Sequence, residues 1–337
     1  MPPTPIVECV PNFSEGRDPS VLQNLAAAIK RVPEVRLLHI DAGKAANRTV
    51  FTFAGPLEAV VESAYQAIRV AAERIDMRQH RGEHPRIGAT DVCPLVPITD
   101  CTLEEVNAYT LQLAERVGEQ LQIPVFLYEH SARHAYRKNL AHIRSGEYEG
   151  LAAKTQLPDW RPDFGPLFNA RSGASVIGAR NFLIAYNVNL NTSSVALANE
   201  IARDIRESGR LVHQPDGQRV RQPGRCRFVK AIGWFIEEYN CAQVSLNLTN
   251  FQATGLYDVY ENCRELARRY GCEVTGSELI GLIPKAALMN AGRRYAQLSN
   301  KKIHSSDEEL LSLAVRRLGL DQLAPFDYRN RVIEYLL

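Results

Sequence analysis

The sequence predicts an α/β (α+β) protein built from two ferredoxin-like βαββαβ subdomains. The length of 337 residues suits two domains of about 150 residues each. Apolar residues recur at every second position in some segments and at helical spacing in others, which indicates both strands and helices. The same order of strands and helices occurs twice, first in residues 5–98 and again in residues 182–275.

In the first half, each predicted element has its own local signal. The strands alternate or are rich in β-branched and aromatic residues, and the helices carry apolar residues three and four positions apart. The second and third strands, 35–40 and 48–53, are joined closely enough to form a hairpin. The predicted elements are strand 5–10, helix 19–32, strand 35–40, strand 48–53, helix 56–75 and strand 92–98.

The second half repeats this order of elements without obvious sequence identity to the first half. The predicted elements are strand 182–190, helix 193–208, strands 228–237 and 242–248, helix 255–270 and strand 272–275. Residues 103–157 predict a helical-hairpin connector between the halves, and residues 158–178 a loop. The expected boundaries are 1–181 for the N-terminal subdomain, 182–325 for the C-terminal subdomain and 326–337 for a tail.

In this fold, each sheet leaves one face uncovered by helices. Such a face must bury its apolar side chains, most simply against the other sheet or another subunit. We therefore expect the two sheets to face each other around a substrate cleft or tunnel.

Composition excludes several classes of protein. No apolar run approaches the ~20 residues of a membrane helix, and the N-terminus lacks the features of a signal peptide. Seven scattered cysteines without a CxxC pair suit reduced thiols, so a cytoplasmic location is expected. A net charge of +2 argues against nucleic-acid binding.

One stretch is more basic than the rest of the chain. Seven arginines lie between Arg203 and Arg227, interspersed with glycines and prolines. This stretch is either a solvated loop or a surface that attracts a polyanion. Its polar residues 211–221 are expected to be disordered.

The segment His80–Asp91 combines two histidines, two arginines, two carboxylates and two glycines. Gly82 and Pro85 disfavour a helix here, since glycine costs about 1 kcal/mol and proline about 3 in a helix interior. A polar loop that leads into the apolar strand 92–98 is a plausible edge of an active site. Because no helix brings His80 and His84 to one face and HExxH is absent, a metal site is not expected.

Four residues are candidates for chemistry. His84 suits a general acid and base, because imidazole titrates near neutral pH, although a structural role stays open. Asp41 follows a strand and either forms a turn or orients His84 as a carboxylate does in a triad. Arg48 and Arg86 carry guanidinium groups that match carboxylates, or they form ordinary ion pairs.

The loop at 162–174 is a candidate ligand site, since its glycines allow the backbone to approach a flat molecule. The glycines at 173 and 178 do not form a dinucleotide fingerprint, because they precede a predicted strand instead of following one.

Nine segments in order along the chain resemble the glutamate formimidoyltransferases, the formiminotransferase domain of formiminotransferase-cyclodeaminase. They are VECVPNFSEGRD, DAGKAANRTVFTFAGP, GEHPRIGATDVCPLVPI, GEYEGL, PDFGP, GARNFLIAYNVNLNT, VKAIGWFIEEYNCAQVSLNLTNF, VTGSELIGLIPKAAL and GLDQLAPFDYRNRVIEYLL. The resemblance covers nearly the whole chain. It implies transfer of a formimidoyl group between N-formimidoyl-L-glutamate and tetrahydrofolate in histidine degradation, giving 5-formimidoyltetrahydrofolate and L-glutamate.

The resemblance also assigns roles to residues and partners. It implies His84 as the catalytic acid and base with Asp41 beside it, tetrahydrofolate as co-substrate without a metal, and a homodimer. A separate cyclodeaminase is expected to act downstream, since the sequence resembles the transferase part alone. By the motif match, the residues that contact folate are Gly165, Pro166, Leu167, Phe168, Asn169, Ala170, Arg171, Ser172 and Gly173.

Three alternatives remain at this point. The first is formyl transfer between 5-formyltetrahydrofolate and glutamate, which uses the same groups. The second is a folate-binding protein without catalysis, which the candidate proton shuttle His84 argues against. The third is an RNA-binding protein with tandem RRM-like units, which is disfavoured because the RNP aromatic motif is absent.

Overall fold

The computed structural model describes residues 5–44, 46–82, 84–214, 217–237, 239–298, 306–323 and 325–337. The chain divides into two compact units. Unit 1 contains the residues up to Asn181 together with Leu337, and unit 2 spans Phe182–Leu336. Each unit is described by itself.

The described part of unit 1 forms one sheet with helices. Its strands are β1 (Ile6–Cys9), β2 (Asn12–Phe13), β3 (Arg36–Gly43), β4 (Arg48–Pro56), β5 (Thr90–Thr99), β6 (Val125–Leu127) and β7 (Ser175–Ala179). Its helices are α1 (Pro19–Lys30), α2 (Leu57–Arg74), α3 (Leu103–Gln120), α4 (Leu140–Arg144) and α5 (Glu147–Lys154).

The sheet of unit 1 has the strand order of a ferredoxin-like fold. β1 lies between β4 and β5, antiparallel to both, and β3 pairs with the far side of β4. β2 continues the position of β1 between the same two neighbours. Helices α1, α2 and α3 cover one face, where Phe51, Phe53 and Leu95 are fully buried. The predicted βαββαβ order is confirmed in this half.

The connector differs from the prediction. Its first part is the expected helix α3, but a second long helix does not follow. Instead β6 pairs with β7, and β7 runs parallel to β5 and widens the sheet. β7 lies at the C-terminal end of residues 158–178, which were predicted as a loop. A parallel partner distant in sequence is what makes this short apolar run a strand, and local periodicity does not report such pairing.

Helices α4 and α5 pack on the opposite face of the sheet from α1, α2 and α3. Ile143 of α4 and Leu151 of α5 share an apolar cluster with Val92 and Val176 of the sheet. We call this face of the unit 1 sheet the open face, because α1–α3 leave it uncovered. The packing matters for function, since α4 brings Arg144 to this face.

Unit 2 repeats the fold. Its strands are β8 (Ile184–Leu190), β9 (Arg210–His213), β10 (Arg219–Gln222), β11 (Val229–Ile236), β12 (Cys241–Leu248) and β13 (Val274–Ile280). Its helices are α6 (Val195–Ile205), α7 (Leu256–Arg269), α8 (Lys285–Leu298), α9 (Asp307–Leu318) and α10 (Ile333–Leu336). The order β11-β12-β8-β13, antiparallel throughout, is again ferredoxin-like and confirms the predicted fold class.

The basic stretch is more ordered than its composition predicts. Residues 211–221 were expected to be disordered, but β9 and β10 pair as an antiparallel hairpin on either side of residues 215 and 216, which lie outside the described residues. Arg210 at the start of β9 forms ion pairs with Glu200 and Asp204 of α6, which fixes the hairpin to the body of unit 2.

The C-terminal tail, predicted to begin at residue 326, packs into unit 2. Tyr328 and Val332 belong to its core, and Glu334 accepts a hydrogen bond from the backbone of Lys285. Within the described ranges, no helix combines the length and the apolar composition needed to cross a membrane.

Candidate active site

Sheet register brings one group of polar residues together on the open face. Val50 of β4 is opposite Asn12 of β2, which is opposite Val92 of β5. Because side chains alternate along a strand, Arg48 projects to the same face as Val50. Two more residues complete the group. Asp91 lies in β5 where its pairing with β2 shifts register, and His84 lies in the loop that precedes β5.

Arg48 is the centre of this group. Its Nη1 donates to Asp91 Oδ2 at 2.7 Å and lies 3.0 Å from His84 Nδ1. Its Nε and Nη2 donate to Asn12 Oδ1. Burial, opposed by the Asp91 carboxylate, lowers the pKa of the Arg48 guanidinium to about 10, so it stays a cation at neutral pH.

Asp91 joins two arginines. Its side chain is 1% exposed and accepts four hydrogen bonds: one from Arg48, two from Arg144 and one from the backbone N–H of Ile87. The contact with Arg144 Nη2 is 2.5 Å long. Two guanidinium groups therefore share one buried carboxylate, which leaves the cluster with an excess of positive charge. We call His84, Arg48, Asp91, Arg144 and Asn12 the His84 cluster.

Lys154 holds the helix that carries Arg144. Its Nζ donates to the carbonyl oxygens of His142, Ile143 and Ser145 at 2.8–2.9 Å. It also lies 3.9 Å from the centre of the Trp160 ring. Burial lowers the pKa of Lys154 to about 8. All three protons of the ammonium group are thus used to fix the C-terminal end of α4.

His84 presents one free ring nitrogen. Its Nδ1 lies 2.7 Å from the carbonyl oxygen of Pro85, which only accepts hydrogen bonds, and 3.0 Å from Arg48 Nη1, which only donates them. We assign the ring proton to Nδ1 because the carbonyl contact is the shorter of the two. Nε2 then keeps its lone pair and has no hydrogen-bond partner among the residues that the structure describes. Burial, with the charge of Arg48 and then of Arg144, lowers the pKa of His84 to about 4.

The position of Asp41 differs from the predicted one. Asp41 lies exposed in β3, opposite Val50, and makes no hydrogen bond or ion pair with His84 or with any other described residue. The carboxylate connected to His84, through Arg48, is Asp91. That Asp41 orients His84 therefore stays a prediction. Its backbone is held by strand pairing, and its side chain points to the open face.

Arg86 forms ion pairs within unit 1, one of the two alternatives that the sequence left open for it. All five of its N–H donors have partners: His80 Nδ1 and the His80 carbonyl oxygen, Glu147, and both carboxylate oxygens of Glu149. It therefore has no donor left for a substrate carboxylate. His80 is buried and also contacts the Asn47 carbonyl oxygen. Through Glu147 and Glu149, Arg86 ties the segment His80–Asp91, which we call the motif loop, to α5.

The predicted folate segment, Gly165–Gly173, ends beside the motif loop. Gly173 pairs with Gly88 as an isolated bridge. Gly173 has a φ of +66°, and a Cβ there would lie 2.1 Å from the Ile87 carbonyl oxygen. A Cβ on Gly88 would lie 2.0 Å from the Ala174 carbonyl oxygen. Only glycine at both positions allows this close approach.

The rest of this segment is fixed by internal contacts. Asn169 Oδ1 accepts from the backbone N–H groups of Arg171 and Ser172. Arg171 Nη2 donates to the Glu73 carbonyl oxygen in the last turn of α2. Phe168 packs near Tyr148, whereas Leu167 is 40% exposed. These contacts hold the segment in place, and its exposed residues are available to a ligand.

Sequence reasoning found His84 and Arg48, which the structure brings together, but missed Asn12, Asp91 and Arg144. Asp91 directly precedes the predicted strand 92–98 in the sequence, so its position was a usable signal. Arg144 had none, because it lies in an ordinary helical segment distant in sequence. Among the described residues, no group of three His, Cys, Asp or Glu side chains is arranged to hold a metal ion.

Known proteins similar to this chain cover both units. A family model described as the formiminotransferase domain, N-terminal subdomain, matches residues 6–180, and one described as the formiminotransferase domain matches residues 185–337. Formimidoyltransferase-cyclodeaminases from Dictyostelium discoideum and Gallus gallus are 45% and 47% identical over 98% of this chain, which spans 60% of their length. A glutamate formimidoyltransferase from Streptococcus pyogenes serotype M1 is 43% identical over 89% of this chain and 96% of its own.

Proposed function

Because the chain belongs to the formiminotransferase domain family, we propose that it is an enzyme that transfers the formimidoyl group between N-formimidoyl-L-glutamate and N5 of tetrahydrofolate. Tetrahydrofolate is the co-substrate, and no metal takes part in the proposal. The observation that carries it is His84 Nε2, which has no hydrogen-bond partner among the described residues and belongs to a side chain beside two arginines on the open face.

The chemistry requires a group that takes a proton and returns it. When N5 forms a bond to the formimidoyl carbon, N5 loses a proton, and the glutamate nitrogen gains one as its bond to that carbon breaks. His84 Nε2 accepts the first proton and donates the second. Nδ1 keeps its proton throughout, because the Pro85 carbonyl oxygen accepts from it. A positioned imidazole supplies ~10²–10⁴-fold of rate in such reactions.

The arginines of the His84 cluster bind negative charge. Arg48 and Arg144 share Asp91, so the cluster carries an uncompensated positive charge that suits a carboxylate of formimidoylglutamate. A bound carboxylate also cancels part of the charge that depresses the pKa of His84. Substrate binding thereby makes His84 a stronger base at the moment when it is needed.

We place the folate along the segment Gly165–Gly173. The support is the close approach of Gly173 to Gly88, which brings one end of the segment next to the motif loop. Two substrates held side by side react without the entropy loss of a collision, which is a large part of the rate enhancement in group transfer. We also propose that the protein is a cytoplasmic homodimer and that a separate cyclodeaminase catalyses the next reaction.

The test is a two-substrate assay with the purified protein. Mass spectrometry should detect 5-formimidoyltetrahydrofolate and free glutamate in equal amounts, dependent on both substrates. If the protein binds folate but forms no product with either a formimidoyl or a formyl donor, it is a binding protein and the proposal fails. If it uses only the formyl donor, it is a formyltransferase and the proposal fails. Sedimentation gives the mass that tests the dimer.

A further inference from the structure

We propose that Asp41 selects the donor, by binding the cationic formimidoyl group and disfavouring a neutral formyl group. The inference rests on the proposed function and names a specificity determinant for it. The two donors differ at one position. A protonated formimidoyl group ends in a cationic nitrogen with N–H donors, whereas a formyl group ends in an uncharged oxygen that only accepts hydrogen bonds.

The register places Asp41 on the same face of the sheet as Arg48, a member of the His84 cluster. In the pairing of β3 with β4, Gly43 is opposite Arg48 and Asp41 is opposite Val50. Asp41 and Arg48 are thus diagonal neighbours on one face, a relation that separates Cβ atoms by about 7–8 Å. Arg48 Nη1 in turn lies 3.0 Å from the His84 ring.

The charges of the cluster create a need that Asp41 meets. A cationic formimidoyl group that approaches His84 also approaches Arg48 and Arg144, which repel it. Asp91 cannot compensate, because its carboxylate already accepts four hydrogen bonds and is 1% exposed. Asp41 is exposed on the same face, and its carboxylate has no partner among the described residues.

The geometry of the two groups is complementary. An amidinium is planar and carries N–H donors in a fork, as guanidinium does, and such a fork matches the two oxygens of a carboxylate. A formyl oxygen near Asp41 brings no donor and leaves the carboxylate facing a lone pair. A site built to bind an N–H group rejects an analogue that lacks it far more strongly than a site built on shape alone.

The experiment compares two donors that share the glutamate skeleton, N-formimidoyl-L-glutamate and N-formyl-L-glutamate, with tetrahydrofolate as acceptor. The variant is Asp41→Asn, which removes the charge and keeps the size. The matched control is Asp100→Asn, another exposed aspartate of unit 1. Circular dichroism confirms that each variant is folded.

We expect Asp41→Asn to lower kcat/KM for the formimidoyl donor about 10–10²-fold, the effect of losing one charge-assisted hydrogen bond. Its kcat/KM for the formyl donor should be unchanged or higher, and Asp100→Asn should change neither value. Where formyl transfer is too slow to measure, the inhibition constant of N-formyl-L-glutamate gives the same comparison.

An equal loss with both donors would overturn the inference, because Asp41 would then act in a step common to both, such as orienting His84. Unchanged use of the formimidoyl donor would overturn it as well. These results differ from a failure of the proposed function, in which the unaltered protein transfers nothing from the formimidoyl donor. In that case the role of Asp41 falls with the function.

Discussion

Replacing Arg144 with methionine should raise the pKa of His84. Arg144 reaches His84 through three consecutive contacts: Arg144 to Asp91, Asp91 to Arg48, and Arg48 to His84, of 2.5, 2.7 and 3.0 Å. The two charged groups therefore lie within about 8 Å of each other. The variant removes a cation that opposes protonation of the imidazole and leaves Asp91 less compensated, and both changes favour the protonated form.

The magnitude follows from Coulomb's law. At about 8 Å and an effective dielectric constant of about 20, two unit charges interact by about 2 kcal/mol, which corresponds to about 1.5 pKa units. The pKa of His84, which is about 4 in the intact cluster, should therefore rise by about 1–1.5 units in the variant. As neutral His84 is the base, the acid limb of kcat/KM for the free enzyme should move to higher pH by the same amount.

Two measurements check this prediction. The imidazole Cε1–H resonance of His84, assigned by its loss in His84→Gln, gives the pKa directly by NMR titration. The pH profile of kcat/KM gives it through activity. The control is Arg161→Met, since Arg161 is an exposed arginine of unit 1 outside the cluster. A His84 pKa that stays at its original value, or falls, in Arg144→Met would refute the electrostatic account.

The remaining predictions concern single residues. His84→Ala should lower kcat by ~10²–10⁴-fold while folate binding, measured by calorimetry, survives; a near-normal kcat would remove His84 from the mechanism. Asp91→Asn leaves two largely buried guanidinium groups without a carboxylate and should lower the free energy of unfolding in urea by about 3–5 kcal/mol. Arg86→Met should also lower that free energy but leave KM for formimidoylglutamate within about 2-fold; a large rise in KM would restore the substrate role first predicted for Arg86. Lys154→Met should reproduce the His84 pKa shift of Arg144→Met, because it releases α4, whereas the exposed Lys138→Met should not.

The fold was predictable because its information is local. The alternation of β3 and β4 and the helical spacing of α1 and α2 appear directly in the sequence, and the repeated order of elements gives the topology. β6 and β7 were not predictable in the same way. Their pairing with each other and with β5 joins residues far apart in the chain, and short apolar runs look alike whether or not such a partner exists.

The site was predictable only where one segment contains it. His84 and its loop are recognisable because glycine and proline prevent a helix, so the polar residues need another explanation. The partners of Arg86 could not be found, since Glu147 and Glu149 lie more than sixty residues away and reach it only because α5 folds over the open face. The exchange of roles between Asp41 and Asp91 has the same origin. Both aspartates lie in strands of the unit 1 sheet, and only the pairing of the strands decides which of them meets Arg48.

The depressed pKa of His84 is consistent with its role as a base. A histidine with a pKa of about 4 is neutral throughout the physiological range, so the free enzyme always has its Nε2 lone pair available. The cost is low basicity, and it applies only while Arg48 and Arg144 lack an anion. A substrate carboxylate at those arginines cancels part of the field and raises the pKa, so that proton transfer becomes favourable only in the complex. The kcat profile, which reports the complex, should accordingly show its acid limb at higher pH than the kcat/KM profile, which reports the free enzyme.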